Sequence, residues 1–113
     1  YTEFLADLPI SLPLQHVDCY SAFHLYIIRI DRQKNTTSHL DVFKLLTEKG
    51  IGVNLHYIPV HLQPFYQRMG FKEGDFPEAE SYYQQAITLP LYPTLTYQQQ
   101  DQVIAALTKV LKL

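Results

Sequence analysis

Residues 23–30 (FHLYIIRI) restrict the fold more than any other part of this sequence. Successive side chains of a strand point to opposite faces, and here both faces are largely apolar. A strand of this kind is usually central in its sheet and covered on both sides. We therefore predict a central strand over residues 23–30, with His24 and Tyr26 in the core.

A capping pattern follows the predicted strand. Ser38 and Asp41 are typical of a helix N-terminus, and Gly50 suits the position just beyond a helix that ends near Lys49. Apolar residues recur along this helix at the spacing of one face. We expect the buried side of the helix to carry Leu40, Phe43, Leu46 and Thr47.

The rest of the chain predicts short elements. Thr96 and Gln99 form a capping box before an amphipathic helix that carries Val103 and Leu107. Two further helices are predicted to start near Pro64 and Pro77, since proline is favoured in a first turn. Extended pieces are predicted over residues 10–14, 52–57 and 87–91. This order of elements indicates an α+β fold, a small antiparallel sheet packed by helices.

Composition and charge exclude several classes of protein. The 113 residues are 47% hydrophobic and 18% charged, which suits one globular domain with its own core. A net charge of −2 provides no basic patch for nucleic acid or an anionic membrane, and no apolar run is long enough to span a bilayer. The single cysteine, Cys19, cannot form an internal disulfide, and it fits a cytoplasmic protein.

Residues 50–70 (GIGVNLHYIPVHLQPFYQRMG) carry the main candidate for a binding site. Polar and aromatic side chains are concentrated where a predicted strand stops, as in many ligand sites. Pro59 and Pro64 stiffen the backbone and lower the entropy lost on binding. We predict substrate-binding residues in the run His56, Tyr57, Ile58, Pro59, Val60 and His61. The alternative for each one singly is a structural role, as a satisfied histidine or a packed ring.

Other chemistries lack the residues they need. His56 and His61 have no acidic or thiol neighbours in sequence to complete the three or four ligands of a zinc site. No serine lies in a nucleophile motif, and Gly50 and Gly52 are better explained by a helix stop than by a phosphate loop. We assign no catalytic, cofactor-binding or metal-binding residue to this chain.

Three segments together resemble one enzyme family. They are residues 21–30 (SAFHLYIIRI), 50–71 (GIGVNLHYIPVHLQPFYQRMGF) and 75–96 (DFPEAESYYQQAITLPLYPTLT). They resemble the C-terminal domain of the DegT/DnrJ/EryC1/StrS sugar aminotransferases. The likeness is greatest to the transaminases that aminate a UDP-linked 4-keto-6-deoxy-N-acetylhexose in pseudaminic acid biosynthesis.

The resemblance implies the fold and the chemistry of a larger protein. Such enzymes have the aspartate aminotransferase fold, use pyridoxal 5′-phosphate (PLP) with glutamate as the usual amino donor, and act as homodimers on nucleotide-linked sugars. Residues 1–113 would form their C-terminal small domain. The missing initiator Met, and a first segment that resembles the end of a helix, favour such a fragment. Residues 56–61 would line the sugar-nucleotide or donor side of the cleft.

In the family, the cofactor-binding lysine lies in the large domain, which we expect to lie outside these 113 residues. None of the lysines here is in a matching motif, so we expect PLP to be bound mainly by the large domain and this chain alone to be inactive. Two alternatives stay open. One is a PLP-dependent sugar dehydratase of the same family, which has histidine at the lysine position, and the other is a stand-alone sugar-binding or dimerisation module.

Overall fold

The computed structural model describes residues 1–31 and 33–111. Within these residues the helices are α1 (Thr2–Leu5), α2 (His39–Glu48), α3 (Pro64–Arg68), α4 (Pro77–Tyr83) and α5 (Tyr97–Leu111), and Val60–Leu62 forms a 3₁₀ turn. The strands are β1 (Ile10–Ser11), β2 (Tyr26–Ile30) and β3 (Ala86–Leu89). None of the helices in this part of the chain is long and apolar enough to cross a bilayer.

The three strands form one antiparallel sheet in the order β1-β2-β3. Strand β2 is therefore central, which confirms the prediction from its apolar pattern. It is shorter than predicted, and only one of its faces is fully buried, since Ile27 on the other face is half-buried. Tyr26, Ile28 and Ile30 are buried, whereas Arg29 on the opposite face is exposed. Helices α1, α2 and α5 contribute buried side chains to the core on this face, so the predicted α+β architecture is confirmed.

Strand β3 is the one that is buried throughout its length. Thr88 pairs with Ile27 of β2 on one side and with Asn54 on the other. Asn54 is the only residue of the predicted 52–57 strand that the structure pairs in this way. The amide of Val53 instead donates to Ile51 O, and the amide of Leu55 donates to the side chain of Asn54, so local acceptors replace a strand ladder.

Helices α2 and α5 pack against each other and supply much of the core. Helix α5 buries Val103, Leu107 and Val110, in agreement with its predicted amphipathic face. The buried side of α2 matches the prediction only in part. Val42 and Leu46 are buried, whereas Leu40 is exposed, because the helix is rotated so that its 42/46 row faces the core.

The predicted caps are present. Ser38 Oγ accepts a hydrogen bond from the amide of Asp41 at the start of α2. The amide of Thr96 donates to Gln99 Oε1 at 2.9 Å, and the amide of Gln99 donates to Thr96 Oγ1 at 3.2 Å, so the capping box is complete. Gly50 follows α2 with a φ of 75°, a left-handed conformation that glycine adopts readily.

Candidate functional site

The chain leaves the sheet after Asn54, and residues 57–60 form a loop at the surface. The peptide bond between His56 and Tyr57 is cis. Tyr57, Ile58 and Val60 are 68%, 44% and 62% exposed, whereas Pro59 between them is buried. Residues 57–60, called the 57–60 loop below, therefore present one phenol and two aliphatic side chains to solvent.

The half-buried His56 precedes this loop. Its Nδ1 is 2.8 Å from Oγ1 of Thr88, so the imidazole is hydrogen-bonded to a buried residue of β3. Asn54, two residues earlier, exchanges two backbone hydrogen bonds with Thr88, at 3.1 and 2.8 Å. The chain thus enters the loop from a position held by the strand.

His61 follows the loop and is almost completely buried. Its Nε2 is 2.7 Å from Oε1 of Glu80 on α4, and their side chains are 7% and 11% exposed. This hydrogen bond, followed by the one from the Gly74 amide, lowers the pKa of Glu80 below its usual value. An ionised carboxylate has only acceptors, so His61 donates its Nε2 proton to it.

Aromatic rings surround the other side of His61. The imidazole is 4.8 Å from the ring of Phe76, which is 6.1 Å from Phe71, and Phe71 is 6.4 Å from Tyr66. These rings line an almost entirely apolar cavity of 370 Å³ next to the loop. Its lining residues are Val60, His61, Tyr66, Phe71, Phe76 and Ala79.

Five of the six predicted residues therefore fall into two groups, and the sixth, Pro59, is buried. Tyr57, Ile58 and Val60 are free to meet a ligand at the surface. His56 and His61 are hydrogen-bonded to Thr88 and Glu80, and no sequence motif identifies either partner. Their separations of 32 and 19 positions leave no local pattern that could have identified either pair.

The histidine and tyrosine of β2 have separate environments. Tyr26 is buried as predicted, with its hydroxyl 2.8 Å from Oγ1 of Thr2 and its ring 5.1 Å from that of Tyr1. His24 is exposed, contrary to the prediction that it lies in the core. It precedes the first paired residue of β2, so the alternation that would have turned it inward has not begun.

The residues present do not fit PLP, because its chemistry requires a lysine held in a cleft. The five described lysines, Lys34, Lys44, Lys49, Lys72 and Lys109, are all exposed. Lys112 lies outside the described residues. The part of the chain described also contains no group of three or more His, Cys, Asp or Glu residues that could hold a metal ion. Cys19 is exposed and is a free thiol.

Two relatives of this chain have names that refer to polysaccharide or sugar biosynthesis. It is 38% identical over 102 residues to the spore coat polysaccharide biosynthesis protein SpsC of Bacillus subtilis, covering 88% of this chain. It is 39% identical over 108 residues to dTDP-3-amino-3,4,6-trideoxy-alpha-D-glucose transaminase of Streptomyces venezuelae, covering 94% of this chain. The chain spans only 26% and 27% of the lengths of these relatives.

Solved structures share the fold. The ketimine complex of S. venezuelae DesV superposes with a TM-score of 0.87 at 33% identity, over 99% of this chain and 29% of that one. The structure of Bacillus subtilis NtdA with bound cofactor PMP superposes with a TM-score of 0.82 at 29% identity. The superposition covers 100% of this chain and 26% of that one. Helicobacter pylori PseC, an aminotransferase of pseudaminic acid biosynthesis, superposes with a TM-score of 0.82 over 98% of this chain and 30% of that one. Its sequence identity of 23% supports a shared fold alone.

The small antiparallel sheet with its helices is thus the fold found in sugar aminotransferases. The sequence model of one family matches residues 1–108, nearly the whole chain. This protein belongs to the DegT/DnrJ/EryC1/StrS aminotransferase family.

Proposed function

We propose that residues 1–113 are the C-terminal small domain of a PLP-dependent aminotransferase that aminates a nucleotide-linked keto sugar. We also propose that the 57–60 loop lines the sugar-nucleotide side of its cleft. The main support for this site is the exposure of Tyr57, Ile58 and Val60. The histidines on either side of them are hydrogen-bonded to buried or nearly buried partners. A loop whose ends are held loses little entropy when it binds a ligand.

The side chains of the loop suit a sugar-nucleotide. The hydroxyl of Tyr57 can donate and accept a hydrogen bond, and its ring offers a flat apolar face to a sugar. Ile58 and Val60 provide apolar contacts beside it and exclude water. The contribution of this chain is therefore to bind and orient the sugar.

The reacting groups would come from outside this chain. In the longer protein, bound PLP would supply a carrier for the amino group and an electron sink at the reacting carbon. With every described lysine exposed, we place the cofactor-binding lysine in the remaining length that the relatives have. The family resemblance supports glutamate as the donor and a homodimer as the working form.

Exposed apolar residues support a place within a larger protein. Residues 12–25 lack a regular helix or strand, and Leu14, Val17 and Tyr20 in this segment are almost fully exposed. Phe65 and Met69 of the α3 region are more than half exposed as well. Apolar surface of this kind commonly marks a contact with more protein.

The identity of the sugar is a finer proposal. Resemblance of the three quoted segments favours a UDP-linked 4-keto-6-deoxy-N-acetylhexose, the substrate type of pseudaminic acid biosynthesis. The S. venezuelae relative is named for a dTDP-linked 3-amino sugar, so a panel of keto sugars with both nucleotides is the appropriate test.

The test uses the longer protein that carries this chain, loaded with PLP. We expect it to convert a nucleotide-linked keto sugar to the amino sugar with glutamate as donor, as measured by mass spectrometry of the product. Replacing Tyr57 by alanine should lower kcat/KM for the sugar roughly threefold to tenfold, because one hydrogen bond to a neutral group contributes about 0.5–1.5 kcal/mol.

Tyr97→Ala is the matched control, since Tyr97 is an exposed tyrosine at the start of α5. It should leave the kinetics unchanged. A Tyr57→Ala protein with wild-type kinetics would contradict the site assignment. A wild-type protein that aminates none of the keto sugars would contradict the proposed activity, and conversion of a sugar without an amino donor would indicate a dehydratase.

A further inference from the structure

Both histidines that border the 57–60 loop are held by one continuous piece of chain. Thr88 of β3 is hydrogen-bonded to His56, and Glu80 of α4 is hydrogen-bonded to His61. Helix α4 ends at Tyr83 and β3 begins at Ala86, so only two residues separate these elements. The position of the loop therefore depends on this helix–strand unit at each end.

The carboxylate of Glu80 has more partners than one ion pair requires. Besides the 2.7 Å bond to His61 Nε2, it accepts the amide of Gly74 at 2.9 Å on Oε1 and at 3.1 Å on Oε2. A single residue thus joins the end of the loop, the turn before α4 and α4 itself. Charged hydrogen bonds among nearly buried groups are strong, and their geometry is well defined.

The 3₁₀ turn that begins at the last residue of the loop has few hydrogen bonds of its own. The amide of Leu62 donates to Pro59 O at 2.9 Å, and the amide of Gln63 donates to Val60 O at 3.0 Å. These two bonds close a 3₁₀ turn of only three residues, Val60–Leu62. A short 3₁₀ turn has poor intrinsic stability, so a tertiary contact at His61 has to hold it in place.

We propose that Glu80 is a positioning residue for the 57–60 loop, holding His61 so that Tyr57 and Val60 face the sugar. This inference rests on the function proposed above, in which the loop binds the sugar-nucleotide. Glu80 itself does not touch the substrate. Its effect reaches the reaction through His61 and the 3₁₀ turn.

The test compares Glu80→Gln with Glu78→Gln in the longer, PLP-loaded protein. Both residues are in the first turn of α4, but Glu78 is exposed and belongs to no part of the site. In Glu80→Gln, hydrogen exchange of the Leu62 and Gln63 amides should become about tenfold faster, since these amides report opening of the turn. Glu78→Gln should match wild type.

Kinetics of the two half-reactions separate positioning from general damage. Glu80→Gln should lower kcat/KM for the sugar about tenfold to a hundredfold, because a small misplacement of a binding group has effects of this size. The half-reaction with glutamate should stay at the wild-type rate. Leu46→Ala, which removes a core side chain away from the loop, controls for lost stability and should not change the ratio of the two half-reactions.

A double variant tests whether Glu80 acts through His61. If it does, His61→Gln combined with Glu80→Gln should be no slower with the sugar than the worse single variant. Fully additive losses would overturn the inference, as would unchanged exchange at Leu62 and Gln63 or an equal loss in both half-reactions. None of these results would contradict the proposed function. That function is contradicted only if the wild-type protein aminates no keto sugar.

Discussion

Leu40 and Leu46 lie on the same helix, yet only one of them belongs to the core. Leu46 is fully buried and Leu40 is 55% exposed. A similar division separates Tyr57 from His61, which are four positions apart in one motif. Tyr57 lies at the surface, while His61 is enclosed by Glu80 and Phe76. Residue type and spacing therefore do not by themselves decide which side chain has a structural role.

At the residue scale we predict unequal effects of two identical substitutions in α2. Leu46→Ala should lower the free energy of unfolding by about 2–5 kcal/mol, because it leaves a cavity in the core. Leu40→Ala should change it by less than roughly 0.5 kcal/mol, as expected for an exposed position. Urea denaturation of both variants measures the difference, and equal losses would mean that α2 is rotated differently from the structure.

The elements differ in how many of their backbone groups are paired. Strand β2 has a partner on each side and a buried face, so its conformation is held along its length. Residues 52–57 have comparable apolar alternation but pair with the sheet only through Asn54. This looser attachment lets the chain turn away from β3 and form the exposed 57–60 loop.

At the element scale we predict a contrast in hydrogen exchange. Amides of Ile27 and Ile28 in the central strand should be among the slowest in the protein, since their exchange requires opening of the sheet. The amides of Val53 and Leu55, which bond to local acceptors, should exchange much faster. Mass spectrometry of overlapping peptides measures both regions. Equal protection would show that residues 52–57 form a regular fourth strand.

The whole molecule is less compact than its length would allow. Its radius of gyration is 15.5 Å, whereas about 13 Å is typical for a chain of this size. The irregular, exposed segment over residues 12–25 is consistent with this extension. An open shape with exposed apolar side chains agrees with the proposal that further protein covers part of this surface.

At the same scale we predict that stability falls in acid. Hydrogen bonding, led by His61, lowers the pKa of Glu80 from its ordinary 4.5, and the Gln33 amide leads the effects that lower the pKa of Asp31 from 3.8. A lowered pKa contributes stability above the ordinary value, and this contribution is lost as the pH falls through the folded value. The free energy of unfolding should therefore decrease below about pH 4.5.

Denaturation at a series of pH values, with Glu80→Gln and Glu78→Gln side by side, checks this acid dependence. Glu80→Gln removes one of the two carboxyl groups with a lowered pKa. Its free energy of unfolding should therefore change less with pH between roughly pH 5 and pH 3 than that of wild type. Glu78→Gln should keep the wild-type slope. If both variants gave the same slope, the pair of Glu80 and His61 would not contribute to acid stability.

The sequence by itself determined the features that depend on neighbours a few positions apart. The cap at Ser38, the capping box of Thr96 and Gln99 and the start of α3 at Pro64 each involve residues within one turn of each other, so their chemistry is visible locally. The central place of β2 was also predictable, because its apolar pattern requires burial. The choice of fold class followed from the order of these elements.

Only the tertiary structure decided which side chains of the candidate site are free. The bonds of His56 to Thr88 and of His61 to Glu80 join residues that are 32 and 19 positions apart. Such pairs form because packing of α4 and β3 brings distant polar groups together, and a buried polar group needs a partner wherever the fold provides one. The sequence predicts residues 56–61 as the candidate site, and the packing around them hydrogen-bonds both histidines to the scaffold and leaves Tyr57 at the surface.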